Sequence, residues 1–262
     1  MGGKTMNLMR AILLILIWII TAGFTANSFG ESNKYLELSK NKFEQYVNLH
    51  TNGYVLCPPP SNPSVNEKLK KGFLWYQKQA IRGDVEAQYL VGAAYLGGIG
   101  VKSDYSKAKK WIYQSATQGY IPAQIGYGLL LKNDDPEKIK WFKKSVAQGN
   151  QNGTYGLAMY FLFKKEYKKG IDLMILLANR DFMPAQESLG IVYNNAFGVP
   201  QDYKKALYWY KKALNHNPMP INSNFLIMSI WLINSALGNK SELAYWDKQL
   251  EDFHKFSGCN KR

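Results

Sequence analysis

Three histidines, two cysteines and one short run of acids are the residues of this chain best suited to chemistry. His50, His216 and His254 stand far apart, in no HExxH or comparable spacing. They therefore outline neither a zinc site nor a base paired with a nucleophile. Asp134, Asp135 and Glu137 cluster just before Trp141. That cluster would attract a cation, but its simpler role is to cap the following helix and complement its dipole. Gly98 and Gly100 form a GxG without the preceding strand that a nucleotide fingerprint requires. The residues thus predict no catalytic, cofactor or metal site, and a chain that is not an enzyme. Cys57 and Cys259 are the only cysteines. An oxidising compartment would allow them to bond to each other or to another chain, and two free thiols remain the third reading.

The first residues place Lys4 and Arg10 before the uncharged run Ala11–Phe24, then small residues through Ala26 and Ser28. Basic, apolar and small in that order predict a secretory signal peptide over 1–28, with export to a periplasmic or extracellular space, a bacterial source being assumed. The run has 14 residues, short of the ~20 a spanning helix needs, although an uncleaved anchor is the competing reading. The formal charge is +14, and +12 without the leader, which holds two basic residues and no acid. Such charge suits nucleic acid, anionic lipid or an acidic partner. Export argues against nucleic acid, and the scattered lysines read as a solvated basic face or as attraction to an anionic envelope polymer.

The elements that carry these residues follow from an internal repeat. AQYLVGAAYLGGIGVKSDYSKAKKWIYQSATQG from Ala87 returns as AQESLGIVYNNAFGVPQDYKKALYWYKKALNHN from Ala185. A tryptophan column runs Trp75, Trp111, Trp141, Leu173 and Trp209, at intervals of 36, 30, 32 and 36 residues. The shorter intervals lack the Gly-rich segment between two helices, so deletion falls in the turn. A period of this size marks stacked helix pairs. Each first helix holds a small residue, Gly92, Gly128, Ala158 or Gly190, followed three places on by Tyr95, Leu131, Phe161 or Tyr193. Mid-helix glycine costs ~1 kcal/mol relative to alanine, so the column predicts close approach of the second helix, filled by its Trp and Ala residues. Asp104 and Asp202 are placed to cap second helices, and Gly83, Gly119 and Gly149 to stop them.

These columns resemble the Sel-one-like repeat, a subclass of the tetratricopeptide superfamily. Ala87, Gly92, Tyr95, Gly100, Asp104, Ala108 and Trp111 carry the resemblance in one copy. Ala185, Gly190, Tyr193, Gly198, Asp202, Ala206 and Trp209 carry it in the other, with Gly128 and Trp141 in a degenerate copy. The resemblance implies an all-α fold, a right-handed α-solenoid of about five antiparallel helix pairs, and a non-enzymatic scaffold for a protein partner. The expected organisation is 1–28 signal peptide, 29–65 an N-terminal helix (Tyr35 to His50) and irregular loop, 66–215 repeat array, and 216–262 divergent capping helices. Ile221 to Leu237 and Ser241 to Phe256 form that last pair, its outer helix polar enough to close the stack.

On the first helices one arc must pack, and the opposite arc is unusually small and apolar. It holds Leu90 and Ala93; Gly126, Leu129 and Asn133; Met159 and Phe163; then Ser188, Ile191 and Asn195. Tetratricopeptide-like arrays line their concave surface with first helices, so the resemblance makes these residues the expected partner groove, unless a terminal segment of the chain fills it. The basic column three places after tryptophan, Lys78, Lys144 and Lys212, reads as a solvated face. The family hosts periplasmic adaptors and regulators, toxin-immunity proteins and accessories of cell-wall metabolism. A wall or β-lactam hydrolase is the least favoured alternative, for want of a catalytic constellation.

Overall fold

A computed structural model describes residues 63–215 and 220–256, with side chains described over 66–215 and 225–251. The predicted leader, the segment up to Asn62, Cys57, Cys259, His50, His216 and the side chain of His254 lie outside the described residues. All regular structure within them is helical. The helices are α1 (Pro63–Ile81), α2 (Val85–Gly97), α3 (Tyr105–Thr117), α4 (Ile121–Leu130), α5 (Glu137–Ala147) and α6 (Gln151–Phe163). They continue as α7 (Tyr167–Ala178), α8 (Met183–Asn194), α9 (Tyr203–Asn215), α10 (Pro220–Ala236) and α11 (Lys240–Phe256). The loop expected to reach Val65 ends sooner, because Pro63 suits the first position of a helix, where its missing N–H is not needed.

The chain divides into two compact units, Met1–Gly156 and Leu157–Arg262, the division falling within α6. In the first, α1 packs on α2, α2 on α3, α3 on α4 and α4 on α5. In the second, α7 packs on α8, α8 on α9, α9 on α10 and α10 on α11.

Stops and starts repeat as the sequence expects. Gly83, Gly119 and Gly149 take φ of +99°, +94° and +75°. The residue after each returns its N–H to a carbonyl five residues back: Asp84 to Gln79, Tyr120 to Ser115, Asn150 to Ser145. This closing bond satisfies a carbonyl that the helix end would leave open. Asp104 and Asp202 accept the backbone N–H groups of Lys107 and Lys205 at 2.9 Å each. Asp84 accepts that of Ala87 at 2.8 Å.

The small-residue column lies where the helices of a pair meet, and the alanine column approaches it as expected at Ala108, but the tryptophan is not the side chain that fills the space. A Cβ on Gly92 would stand 2.5 Å from Ile112 Cγ1 and 3.1 Å from the Ala108 carbonyl. On Gly128 it would stand 2.9 Å from Phe142, and on Gly190 it would strike the Tyr210 ring. Thus the residue after each tryptophan fills the space. Ile112, Phe142 and Tyr210 are each 1% exposed; Trp111 is half-buried, while Trp141 and Trp209 are buried at 5% and 8% without meeting the glycine. A 100° turn of the helix separates the two positions, and it is the second that points at the glycine.

Candidate partner-binding site

The ten residues expected to line a groove divide by unit. In the first unit Leu90, Ala93, Gly126 and Leu129 are buried, and only Asn133 is half-buried. In the second, Ser188 is buried, Met159 and Ile191 are half-buried, and Phe163 and Asn195 are exposed, Phe163 to 45%. The five buried positions pack within the fold. A Cβ on Gly126, for example, would meet Tyr89 of α2 at 3.3 Å and Ile112 of α3 at 3.6 Å. The expectation of one packed and one open arc fails because these first helices are buried nearly all round, polar residues included. α2 is buried without interruption from Ala87 to Tyr95, and α8 from Pro184 to Gly190. A helix apolar on every side is an interior one. The accessible part of the arc is therefore Met159 and Phe163 on α6 with Ile191 and Asn195 on α8. Asn195 donates from Nδ2 to the Ile191 carbonyl at 3.0 Å, ending α8.

Polar groups inside the fold hold neighbouring helices in register, a role the sequence did not announce. Gln88 Nε2 donates to the Ala80 carbonyl at 3.3 Å, while Gln118 Nε2 donates to Gln88 Oε1 at 2.7 Å. Gln148 repeats the second bond to Gln124 at 2.9 Å, and Gln186 repeats the first to the Ala178 carbonyl at 3.1 Å. The signal was available as glutamine after each Ala87-type alanine and seven places after Trp111 and Trp141. The corresponding position after Trp209 is His216, outside the described residues, and among the described residues Gln186 Oε1 is buried with no hydrogen-bond partner.

Lys138 occupies the column of Ala108 and Ala206, yet it is buried. In the full copies the Tyr95 and Tyr193 carbonyls accept the N–H groups of Asp104 and Asp202 at 2.9 and 3.0 Å. The shortened turn has no equivalent amide, and Lys138 Nζ donates to the Leu131 carbonyl at 3.0 Å instead. Burial pushes this ammonium down to about 8. Asp135 of the acidic cluster accepts the Glu137 N–H at 2.9 Å, the capping role expected for that cluster. Glu187, on α8, is 7% exposed, and loss of solvation pushes its carboxyl up to about 7.

Two lysines of the basic column lie over their own tryptophans. Lys144 Nζ stands 4.1 Å from the Trp141 ring centroid and Lys212 Nζ 5.7 Å from that of Trp209. Lys212 also pairs with Asp181 at 3.1 Å. An ammonium held over a ring in this way shields the aromatic face.

Helix pairs, glycine contacts and aspartate caps recurring in register define an all-helical repeat scaffold, a tetratricopeptide-like solenoid. The Sel1 repeat family matches residues 85–120, 124–150 and 184–218, and this chain is a Sel1-repeat protein. Sel1 repeats are in general a non-catalytic scaffold that mediates protein interaction. The Sel1-repeat-containing protein YjcO of Escherichia coli strain K12 is 28% identical over 151 residues, 53% of this chain and 64% of that protein. The ERAD-associated E3 ubiquitin-protein ligase component HRD3 of Candida glabrata is 29% identical over 136 residues, 47% of this chain and 16% of that protein. The chain thus spans less than two thirds of either relative. The crystal structure of a Sel1 repeat protein from Oxalobacter formigenes shares the fold, with a TM-score of 0.54 at 23% identity, over 83% of this chain and 99% of that one.

Proposed function

We propose that this chain is a non-enzymatic, exported scaffold that binds one protein partner through the accessible face of α6 and α8. The observation that carries the reading is Phe163, a large aromatic left 45% exposed in a register that is otherwise small or packed. Aromatic side chains of this kind anchor interfaces. Met159 and Ile191 add half-buried apolar surface, and Asn195 offers a polar edge. HRD3, a relative over 136 residues, is by its name a component of a ubiquitin-protein ligase. Export rests on Lys4, Arg10 and the apolar run Ala11–Phe24. A periplasmic adaptor, a regulator or a toxin-immunity protein would each use such a face.

A charge of +14 favours a second reading, an accessory of cell-wall metabolism held to anionic envelope polymers by its basic surface. Affinity capture from the native envelope extract, at physiological and high salt, separates the two. A stoichiometric protein retained at high salt and lost from Phe163→Asp supports the scaffold. Recovery of salt-sensitive wall material alone, unchanged in the variant, overturns it in favour of the basic face.

A further inference from the structure

The Gly-rich turn of each full copy covers a fixed place on the second helix of the preceding pair. A Cβ on Gly100 would strike the Leu69 carbonyl of α1, and one on Gly198 would strike the Tyr167 side chain of α7. Leu69 and Tyr167 lie six residues before Trp75 and Leu173, their members of the tryptophan column. On α3 the same place is Tyr105, six before Trp111, and the turn that would cover it, between α4 and α5, is a shortened one. Leu69 is accordingly 3% exposed and Tyr105 54%. The deletion uncovers a face of α3 on which Tyr105, Lys109 and Tyr113 follow at four-residue spacing, Tyr113 being 45% exposed. Both rings are held from behind. Tyr105 Oη donates to the Leu130 carbonyl at 2.8 Å, and the Tyr113 ring stands 5.0 Å from that of Tyr127 and 6.0 Å from that of Trp141. The acids beside this face are engaged: Glu137 pairs with Lys140, and Asp135 accepts the Glu137 N–H. Lys109 Nζ stands 5.8 Å from the Tyr127 centroid and Lys144 Nζ 4.1 Å from that of Trp141, and among the described residues neither pairs with an acid.

Building on the reading of attachment to anionic envelope polymers, we propose that this face binds an acidic glycan, with sugar rings stacked on Tyr105 and Tyr113 and a carboxylate of the unit between them on Lys109. Eight residues of helix set the two tyrosines about 12 Å apart along the axis, close to the length of a disaccharide repeat. Alternate sugars therefore meet the two rings, and the intervening unit meets the ammonium. A pyranose lays a flat C–H face on an aromatic ring and keeps its hydroxyls at the edge for water, which suits rings left half exposed on a shelf. An acidic peptide would need a pocket for an anchoring side chain, and Lys109 occupies the place between the rings. The ammonium groups of Lys109 and Lys144, free of a carboxylate and backed by a ring, supply the complementary charge.

Calorimetric titration of the full chain with a hyaluronan hexasaccharide, which alternates a uronic acid with an N-acetylhexosamine, tests the site, with chitohexaose as the neutral probe. Hyaluronan should bind with a Kd between ~10 µM and ~1 mM, and chitohexaose about tenfold more weakly. Tyr113→Ala should weaken hyaluronan by about tenfold, with helix content retained. Lys109→Met should weaken it by a similar, roughly tenfold factor and leave chitohexaose unchanged. If Tyr113→Ala loses helix content, Lys109→Met decides. Binding should fall but persist at ~500 mM salt, since stacking is not screened. Phe163→Asp should change none of this, which keeps the result separate from that of partner capture. The proposal is overturned if hyaluronan fails to bind at ~1 mM, if neither α3 variant weakens it, or if chitohexaose binds equally well. A Glu-rich peptide or a single-stranded oligonucleotide that binds as tightly as hyaluronan also overturns it. Salt-sensitive capture of wall material from the envelope extract, unchanged by Lys109→Met, would overturn this site while leaving the broader basic-face reading in place.

Discussion

Glu187 is the side chain whose environment departs furthest from what its type leads one to expect. In sequence it is one polar residue after the Ala185–Gln186 pair, where the other full copy has Tyr89. In the fold it is enclosed, with Tyr210 of α9 close enough for the two charges to oppose each other. Its carboxyl rises from 4.5 to about 7, so between these values the folded chain holds a proton that the unfolded chain has released. Its contribution to stability is therefore complete below about 4.5, falls by ~1.4 kcal/mol for each pH unit crossed on the way up, and is level above about 7. Glu187→Gln should melt several degrees higher than the native chain at pH ~8 and equally near pH ~4.5. Equal melting temperatures at both values would show the carboxylate to be solvated. Ala196 offers a second test, since its φ of +57° matches the +68° of Gly98 in the other copy. Ala196→Gly should stabilise by about 1 kcal/mol, read from denaturant midpoints, because L side chains are strained there. Alignment of the two copies makes that mismatch visible in sequence. Burial of Glu187 is not visible, because it depends on helices distant in the chain.

At the scale of the helix pair, glycines of one type do two separable jobs. Gly119 stops α3 in a left-handed conformation with nothing within 4 Å of a Cβ. Gly190 is ordinary helix, but a Cβ there would strike the Tyr210 ring. Gly119→Ala should cost about 1–2 kcal/mol from backbone strain alone. Gly190→Ala gains helix propensity yet must displace a ring that is 1% exposed, and should cost about 1–3 kcal/mol net. Chemical denaturation of both, with Tyr210→Ala in the Gly190→Ala background, checks the assignment: a partial rescue is expected for Gly190→Ala and none for Gly119→Ala. Pairing, caps and stops were legible because Asp104, Asp202 and the glycines act on backbone within a few residues. The filler was not. Ile112, Phe142 and Tyr210 vary in type, whereas the tryptophan beside them, half-buried at Trp111 and buried at Trp141 and Trp209, is the residue that repeats.

For the molecule as a whole, the accessible face decides function, and the two units differ in how much of it they expose. Leu129, in the first, is 9% exposed, and Phe163, in the second, 45%. Leu129→Asp should therefore lose helix content by circular dichroism, since an unpaired charge is buried, whereas Phe163→Asp should keep it and lose the partner. Equal retention in both would return the arc of the first unit to the surface. Repeat period, helix order, cap and stop residues, and the scarcity of chemistry-bearing constellations were determined by sequence alone. Each depends on residue type at short range or on a pattern that recurs. Tertiary structure alone decided which apolar residues face solvent, Phe225, Met228 and Leu232 of α10 among them, and that Lys138 serves a carbonyl which a backbone amide serves elsewhere. The reason is physical: a helix apolar on all sides carries no phase in its own sequence, and only the neighbours packed against it determine which side remains for a partner.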